Sequence, residues 1–238
     1  MAKWQEREVL LFKEEGMNKL TNANVLVVGL GGVGSFAAEF LARAGVGNMT
    51  IVDGDTVDIT NINRQLPALH STVGEPKVKI VGDRLLDINP ELKLTRIEEF
   101  LSPERAFELV TPEFDYVLDC IDSVTPKLNL ILACKRKKVK VISNMGAGGK
   151  YNAENVKVRD ISKTEYCPLA KNVRKRLKLE GITKGVKVVY SDERPDYSSI
   201  KTTDGTNFKK SFYGTNSWMP ALFGLHAAET VVKNLIKQ

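Results

Sequence analysis

At 238 residues the chain can bury one substantial core, and its 42% hydrophobic and 27% charged content is that of a globular protein. No apolar run reaches the ~18 residues of a membrane span, and the opening Met1-Ala2-Lys3-Trp4-Gln5-Glu6 has no apolar h-region, so a cytoplasmic location is expected. The net charge of +6 is unevenly split: residues 1–130 carry 13 Lys/Arg against 20 Asp/Glu, and residues 131–238 carry 22 against 9.

Residues 25–28 are a continuous apolar run ended by Gly29, the pattern of a buried parallel strand. An Ala-rich helix is predicted over 36–44, stopped by Gly45, and a second strand over 49–52, closed by Asp53. Strand, glycine turn, helix, strand is a βαβ unit. Glu75-Pro76-Lys77 opens a helix to about residue 88, with Pro where a helix start prefers it. Strands follow over 92–97 and 116–121, the latter closed by Asp122, then a helix over 125–138 and a strand over 139–143. This alternation predicts an α/β fold: a Rossmann-like, doubly wound, mostly parallel sheet with a C-terminal extension of mixed strands and helices. In that extension, strands over 156–158 and 186–190 flank a basic helix near 168–180. Residues 191–212 are polar and turn-rich and read as a loop, and the chain closes in a helix over 219–236.

Gly29, Gly31 and Gly34, with Gly32 between them, give G-x-G-x-x-G after a strand and before a helix, where backbone can approach phosphate; a purely structural turn is the other reading. Asp53 stands where an acid hydrogen-bonds a ribose, which in a dehydrogenase would favour NAD. The next loop argues instead for ATP. Asn61, Arg64 and Gln65 lie beyond the strand end, a guanidinium there suits polyphosphate, and Lys77 adds a second cation. The alternative for Arg64 is a surface ion pair with Asp55 or Asp58. No G-x-x-x-x-G-K-[ST] is present, so this is not a P-loop. Asp122, at a strand's C-terminal end, is the candidate Mg²⁺ ligand, with a helix N-cap as the other role for it or Ser123. Lys171, Arg174, Lys175, Arg176, Lys178, Lys184 and Lys187, interrupted by Glu180, suggest a polyanionic partner or, alternatively, a solvated helix face.

The succession Gly29-Leu30-Gly31-Gly32-Val33-Gly34, Asp53-Gly54-Asp55, Asn61-Ile62-Asn63-Arg64-Gln65, Glu75-Pro76-Lys77 and Asp119-Cys120-Ile121-Asp122-Ser123 resembles the ubiquitin-activating-enzyme-like adenylyltransferases, the MoeB and ThiF group. The resemblance covers about residues 5–150 and implies ATP-dependent adenylation of a carboxylate. By position it implies Asp53 as ribose ligand, Asn61 and Arg64 as ATP contacts, Lys77 as the α-phosphate lysine and Asp122 as the Mg²⁺ ligand. Arg7 is similar in position to an arginine that relatives send across a dimer interface to the triphosphate. Gly146-Ala147-Gly148-Gly149-Lys150, Asp160-Ile161-Ser162-Lys163-Thr164, Pro168-Leu169-Ala170 and Phe223-Gly224 extend the likeness along nearly the whole chain, to the tRNA threonylcarbamoyladenosine dehydratases.

That resemblance implies that a threonylcarbamoyl carboxylate on a tRNA adenosine beside the anticodon is adenylated and then cyclised, with loss of one water. Arg64, Lys77, Arg7 and Asp122 are the implied catalytic residues. Arg174, Lys175, Arg176 and Lys178 are the tRNA-binding candidates. Residues 1–150 would form the adenylation unit and 151–238 a basic tRNA-interacting extension continuous with the same fold. ATP and Mg²⁺ are the implied cofactors, with a monovalent cation at residues 146–149 a further candidate. tRNA, a second copy in a homodimer, and cysteine desulfurase or sulfur-acceptor proteins are the candidate partners. The rival reading is an adenylyltransferase for the C-terminus of a ubiquitin-like sulfur carrier, whose relatives commonly carry two C-x-x-C zinc pairs. Cys120, Cys134 and Cys167 form none. Cys167 could be a nucleophile only with a depressed pKa, and the dehydration needs no thiol.

Overall fold

A computed structural model describes residues 2–202 and 211–237. Seven strands form the central sheet: β1 (Asn24–Val28), β2 (Asn48–Val52), β3 (Lys93–Ile97), β4 (Tyr116–Asp119), β5 (Lys140–Asn144), β6 (Val156–Asp160) and β7 (Lys187–Ser191). Their order is β3-β2-β1-β4-β5-β7-β6. All neighbours are parallel except β6, which runs antiparallel to β7. The strand order reverses between β1 and β4, so the crevice beyond their C-terminal ends is where a doubly wound sheet binds ligands.

Seven helices cover the two faces: α1 (Glu6–Asn22), α2 (Gly34–Arg43), α3 (Lys77–Ile88), α4 (Pro103–Leu109), α5 (Val124–Lys137), α6 (Pro168–Leu179) and α7 (Trp218–Leu235). The two-residue period of β1 divides its apolar run between them. Val25 and Val27 enter a core with Leu41, Val81 and Phe223, while Leu26 and Val28 enter another with Ala106, Val117 and Leu130. A third cluster seats α6 through Ala170, Val173 and Leu177. α7 lies close on α2 because Gly224 has no side chain; a Cβ there would sit 2.4 Å from the Val33 carbonyl oxygen.

The structure corrects two expectations and adds two helices. β4 ends two residues early, because Asp119 Oδ1 accepts the Ile121 N–H (3.1 Å) and turns the chain. α1 and α4 were not predicted from the sequence. α1 is broken at Lys13 (φ 63°, ψ 168°), leaving residues 6–12 as an arm with Leu10 and Leu11 exposed. Within the segment expected to be a loop, β8 (Ile200–Thr202) pairs antiparallel with β9 (Ser211–Tyr213). Residues 203–210 of that segment lie outside the described residues.

Candidate active site

The glycine turn needs glycine for different reasons at different positions. Gly29 has φ +89°, and a Cβ on it would lie 2.9 Å from the Cys120 carbonyl oxygen. At Gly34 a Cβ would lie 1.7 Å from the Gly29 carbonyl oxygen, so this glycine sets how closely α2 starts against β1. At Gly32 it would meet Pro220 at 2.9 Å and Arg64 O at 3.0 Å. Gly31 faces only the Gln65 side chain, at 3.7 Å. Gly34→Ala is therefore expected to cost at least the ~1–3 kcal/mol of ordinary overpacking, whereas Gly31→Ala should unfold at the wild-type urea midpoint. Equal midpoints for the two variants would refute this division.

Asp53 ends β2 and joins the turns on either side of it. Its Oδ2 accepts the Leu30 N–H (2.5 Å) and its Oδ1 the Asp55 N–H (2.8 Å). Burial pushes this carboxyl up from its ordinary range, against the pull of Lys77 and of those two N–H groups. Lys77 is the first residue of α3 and only 4% exposed; its Nζ donates to Asp55 Oδ2 at 2.9 Å. A buried ammonium beside two carboxylates of the β2 loop retains donors for a further anion.

Arg64 is reached by a short 3₁₀ turn at Ile59–Asn61, in which buried Asn61 accepts the Asp58 N–H at 3.3 Å. Arg64 makes neither of the ion pairs considered for it. Asp55 belongs to Lys77, and Asp58 caps the turn through the Thr60 N–H (2.8 Å). Arg64 Nη1 donates to Thr60 O and Asn63 Oδ1, both at 2.9 Å. Burial pushes its guanidinium down, and the Asp122 carboxylate opposes that shift. Asp122 is exposed at the end of the β4 loop, and Ser123 holds the N-cap position of α5 without a side-chain capping bond. Gln65 Oε1 is buried and accepts no hydrogen bond among the described residues. A buried acceptor beside the glycine turn fits a ligand that brings hydroxyl or amine donors, as a nucleotide does.

Two lysines near the crevice were not recognised from the sequence as buried. Lys127, fully buried in α5, donates to Asp119 Oδ2 (2.8 Å), Asn144 O (2.8 Å) and Ser143 Oγ (3.3 Å). Ser143 Oγ in turn donates to Asp119 Oδ2 at 2.5 Å. Burial pushes the Asp119 carboxyl up, and Lys127 draws it back. Lys150 follows the glycine-rich loop after β5; its Nζ donates to Ser191 O at 2.8 Å, and burial pushes its ammonium below the ordinary lysine range. The loop at 146–149 is itself tied to the backbone by Gly149 N–H to Gly214 O and Asp196 N–H to Gly149 O, both 2.8 Å.

Not every predicted site residue is available as expected. Arg7 is exposed on the N-terminal arm and makes no hydrogen bond or ion pair among the described residues. On α6, Arg174 Nη1 donates to Thr164 O (3.0 Å) and Thr164 Oγ1, and Arg176 Nη1 donates to Thr125 Oγ1 (3.1 Å). Those two arginines hold α6 to its neighbours, whereas Lys175 and Lys178 are exposed. Cys167 is buried and caps α6, its Sγ accepting the Ala170 N–H at 3.5 Å, which suits an inert thiol.

A model of the ThiF family matches residues 5–238. The chain is 42% identical over 238 residues to a tRNA threonylcarbamoyladenosine dehydratase of Bacillus subtilis, covering 97% of this chain and 94% of that protein. It is similar to the crystal structure of the E. coli tRNA N6-threonylcarbamoyladenosine dehydratase, TcdA, in complex with AMP, with a TM-score of 0.89, 36% identity and coverage of 100% and 96% of the two chains. The complex of that protein with ATP gives a TM-score of 0.89 at 35% identity, covering 100% of this chain and 96% of the other. The molybdopterin-synthase adenylyltransferase of Escherichia coli is 40% identical over 139 residues, 58% of this chain and 55% of that protein. The likeness to the dehydratases thus spans β6, β7 and α6 as well as the glycine turn, and the chain belongs to the ThiF family and, within it, to the tRNA threonylcarbamoyladenosine dehydratases.

Proposed function

We propose that this protein uses ATP to cyclise the threonylcarbamoyl group on a tRNA adenosine beside the anticodon, by adenylating its carboxylate. One observation carries the chemistry: the crevice beyond β1, β2 and β4 gathers the glycine turn, Asp53, Lys77, Arg64 and Asp122, an acid for ribose and cations for a triphosphate. A carboxylate is a poor electrophile because its leaving group would be oxide. Its attack on the α-phosphorus of ATP forms an acyl-adenylate and releases pyrophosphate. A carbamoyl group in the same substrate then attacks the activated carbonyl, gives up its N–H proton to solvent, closes a five-membered ring and expels AMP, which carries off one carboxylate oxygen. Both reacting groups share one molecule, so proximity supplies much of the second step.

In this reading Asp53 accepts the ribose hydroxyls while its backbone partners fix its rotamer. Lys77 meets the α-phosphate, and Arg64 the outer phosphates, where charge develops as pyrophosphate leaves. Asp122 would hold Mg²⁺ together with phosphate oxygens and water, and the ion would neutralise charge on the leaving pyrophosphate. Arg7 reaches the triphosphate of a second copy in a homodimer; the exposed Leu10 and Leu11 on its arm favour such a cover.

The test is mass spectrometry of nucleosides from threonylcarbamoylated tRNA incubated with the protein, ATP and Mg²⁺. The expected result is loss of one water from the modified adenosine, with one AMP per product. AMP formed only in the presence of a carrier protein with a free C-terminus would overturn this reading in favour of a carrier-activating adenylyltransferase.

A further inference from the structure

We propose that the RNA-binding surface does not end at α6 but continues into a basic groove at the opposite edge of the sheet, which grips tRNA phosphates outside the anticodon stem-loop. The inference rests on the tRNA reading above. The groove, of about 650 Å³, lies at the N-terminal ends of the parallel strands. Lys140 is the first residue of β5 and Lys187 the first of β7; Lys135, Lys138 and Arg159 complete the cationic lining. Asp160 is its one carboxylate, and that is already bound by the Ser162 N–H (2.9 Å) and the Gly185 N–H (2.6 Å). None of the five cations has a carboxylate partner among the described residues.

Lys138 adds to the case. It has φ 57° and ψ 28°, a left-handed position after α5 where glycine would be unstrained. A cation stands there in spite of the backbone preference.

Two chain segments lead from the groove to the α6 surface. A second depression, of about 450 Å³, is lined by Ser162, Lys171, Arg174, Lys175, Lys178 and Thr183. Asp160 of the first lining binds the Ser162 N–H of the second, and exposed Lys184 stands between Thr183 of the second and Gly185 of the first. α6 starts near the C-terminal edge of the sheet, where Cys167 Sγ lies 3.9 Å from a Cβ built on Gly146. It ends near the N-terminal edge, so the cationic path runs the depth of the sheet, roughly 17 Å for five-residue strands. An anticodon loop seated at the crevice would send its stem along α6 and place the rest of the tRNA at the far groove.

Phosphate backbone suits this path better than an acidic protein does. No apolar residue lining the groove is among the exposed large hydrophobics, so the buried anchor that a protein interface needs is missing. Cations without such an anchor position a backbone and read no sequence.

The experiment compares binding of full-length threonylcarbamoylated tRNA with binding of its isolated anticodon stem-loop. The variant is Lys138→Gly/Lys140→Gln, in which glycine relieves the positive φ at 138 and wild-type stem-loop binding serves as the check that the fold is intact. We expect full-length tRNA to bind about tenfold more weakly at moderate salt, with a log–log salt slope shallower by roughly 1–2. Stem-loop binding and AMP formation on the stem-loop should match wild type. Unchanged binding of full-length tRNA overturns the proposal, and so does equal weakening of both RNAs. A Lys175→Glu/Lys178→Glu variant tests the α6 surface separately, since it should weaken both RNAs. If it weakens neither, the tRNA reading of α6 fails whatever the far groove does.

Discussion

Lys77→Ala is expected to lower AMP formation by about 10²–10³-fold, the loss typical when one preorganised charge stabiliser is removed, while tRNA binding stays at the wild-type level. The reason is its placement. Lys77 is buried at the start of α3, pinned by Asp55, and cannot be replaced by a neighbouring surface cation. Arg64, the other cation of the crevice, has its Nη1 committed to Thr60 and Asn63. The assay is AMP release from ATP with threonylcarbamoylated tRNA in excess, alongside tRNA binding without ATP. A variant within fivefold of wild type in AMP release would remove Lys77 from the catalytic set.

The second large effect is on stability. Lys127→Met keeps the side-chain volume but leaves Asp119 buried without its cation. Breaking one side of a buried pair costs about 3–5 kcal/mol, which for a chain of this size lowers Tm by roughly 6–20 °C. The double variant Lys127→Met/Asp119→Leu should recover much of that loss, because neither partner is then left unpaired. Adenylation should fall in the single variant even below its lowered Tm, since the pair ties β4 to β5 directly beneath Asp122. Calorimetry showing less than a 3 °C change in the single variant would mean that Asp119 does not depend on Lys127.

The parts legible in the sequence were those written in short-range patterns. β1, β2, β4 and β5 are apolar runs closed by Gly, Asp or Asn, and the glycine turn, Asp53 and Asp122 follow the ends of the first three. α4 has a clear signal, Ser102 capping before Pro103, but only seven residues in which to show a period. α1 carries Gly16 and the break at Lys13, which obscure its apolar stripe. Lys127 reads as a surface residue of a helix; its burial depends on Asp119, Ser143 and Asn144, brought together only by strand pairing.

On α6 the helical period sorts the cations. Ala170, Val173 and Leu177 mark the buried stripe, so Arg174 and Arg176 flank it while Lys171, Lys175 and Lys178 face outward. The charge run alone treats these cations alike; the helical period separates anchors from solvent-facing groups.

The contact of Gly32 with Pro220 has a consequence for synthesis. The glycine turn follows β1, yet it is buttressed by α7, a helix encoded far downstream. A nascent chain can form the first βαβ unit on the ribosome but cannot complete that turn until α7 has emerged and packed on α2. Nucleotide affinity is then expected only after α7 has been translated, and ATP bound to an emerging chain would report that α7 has docked.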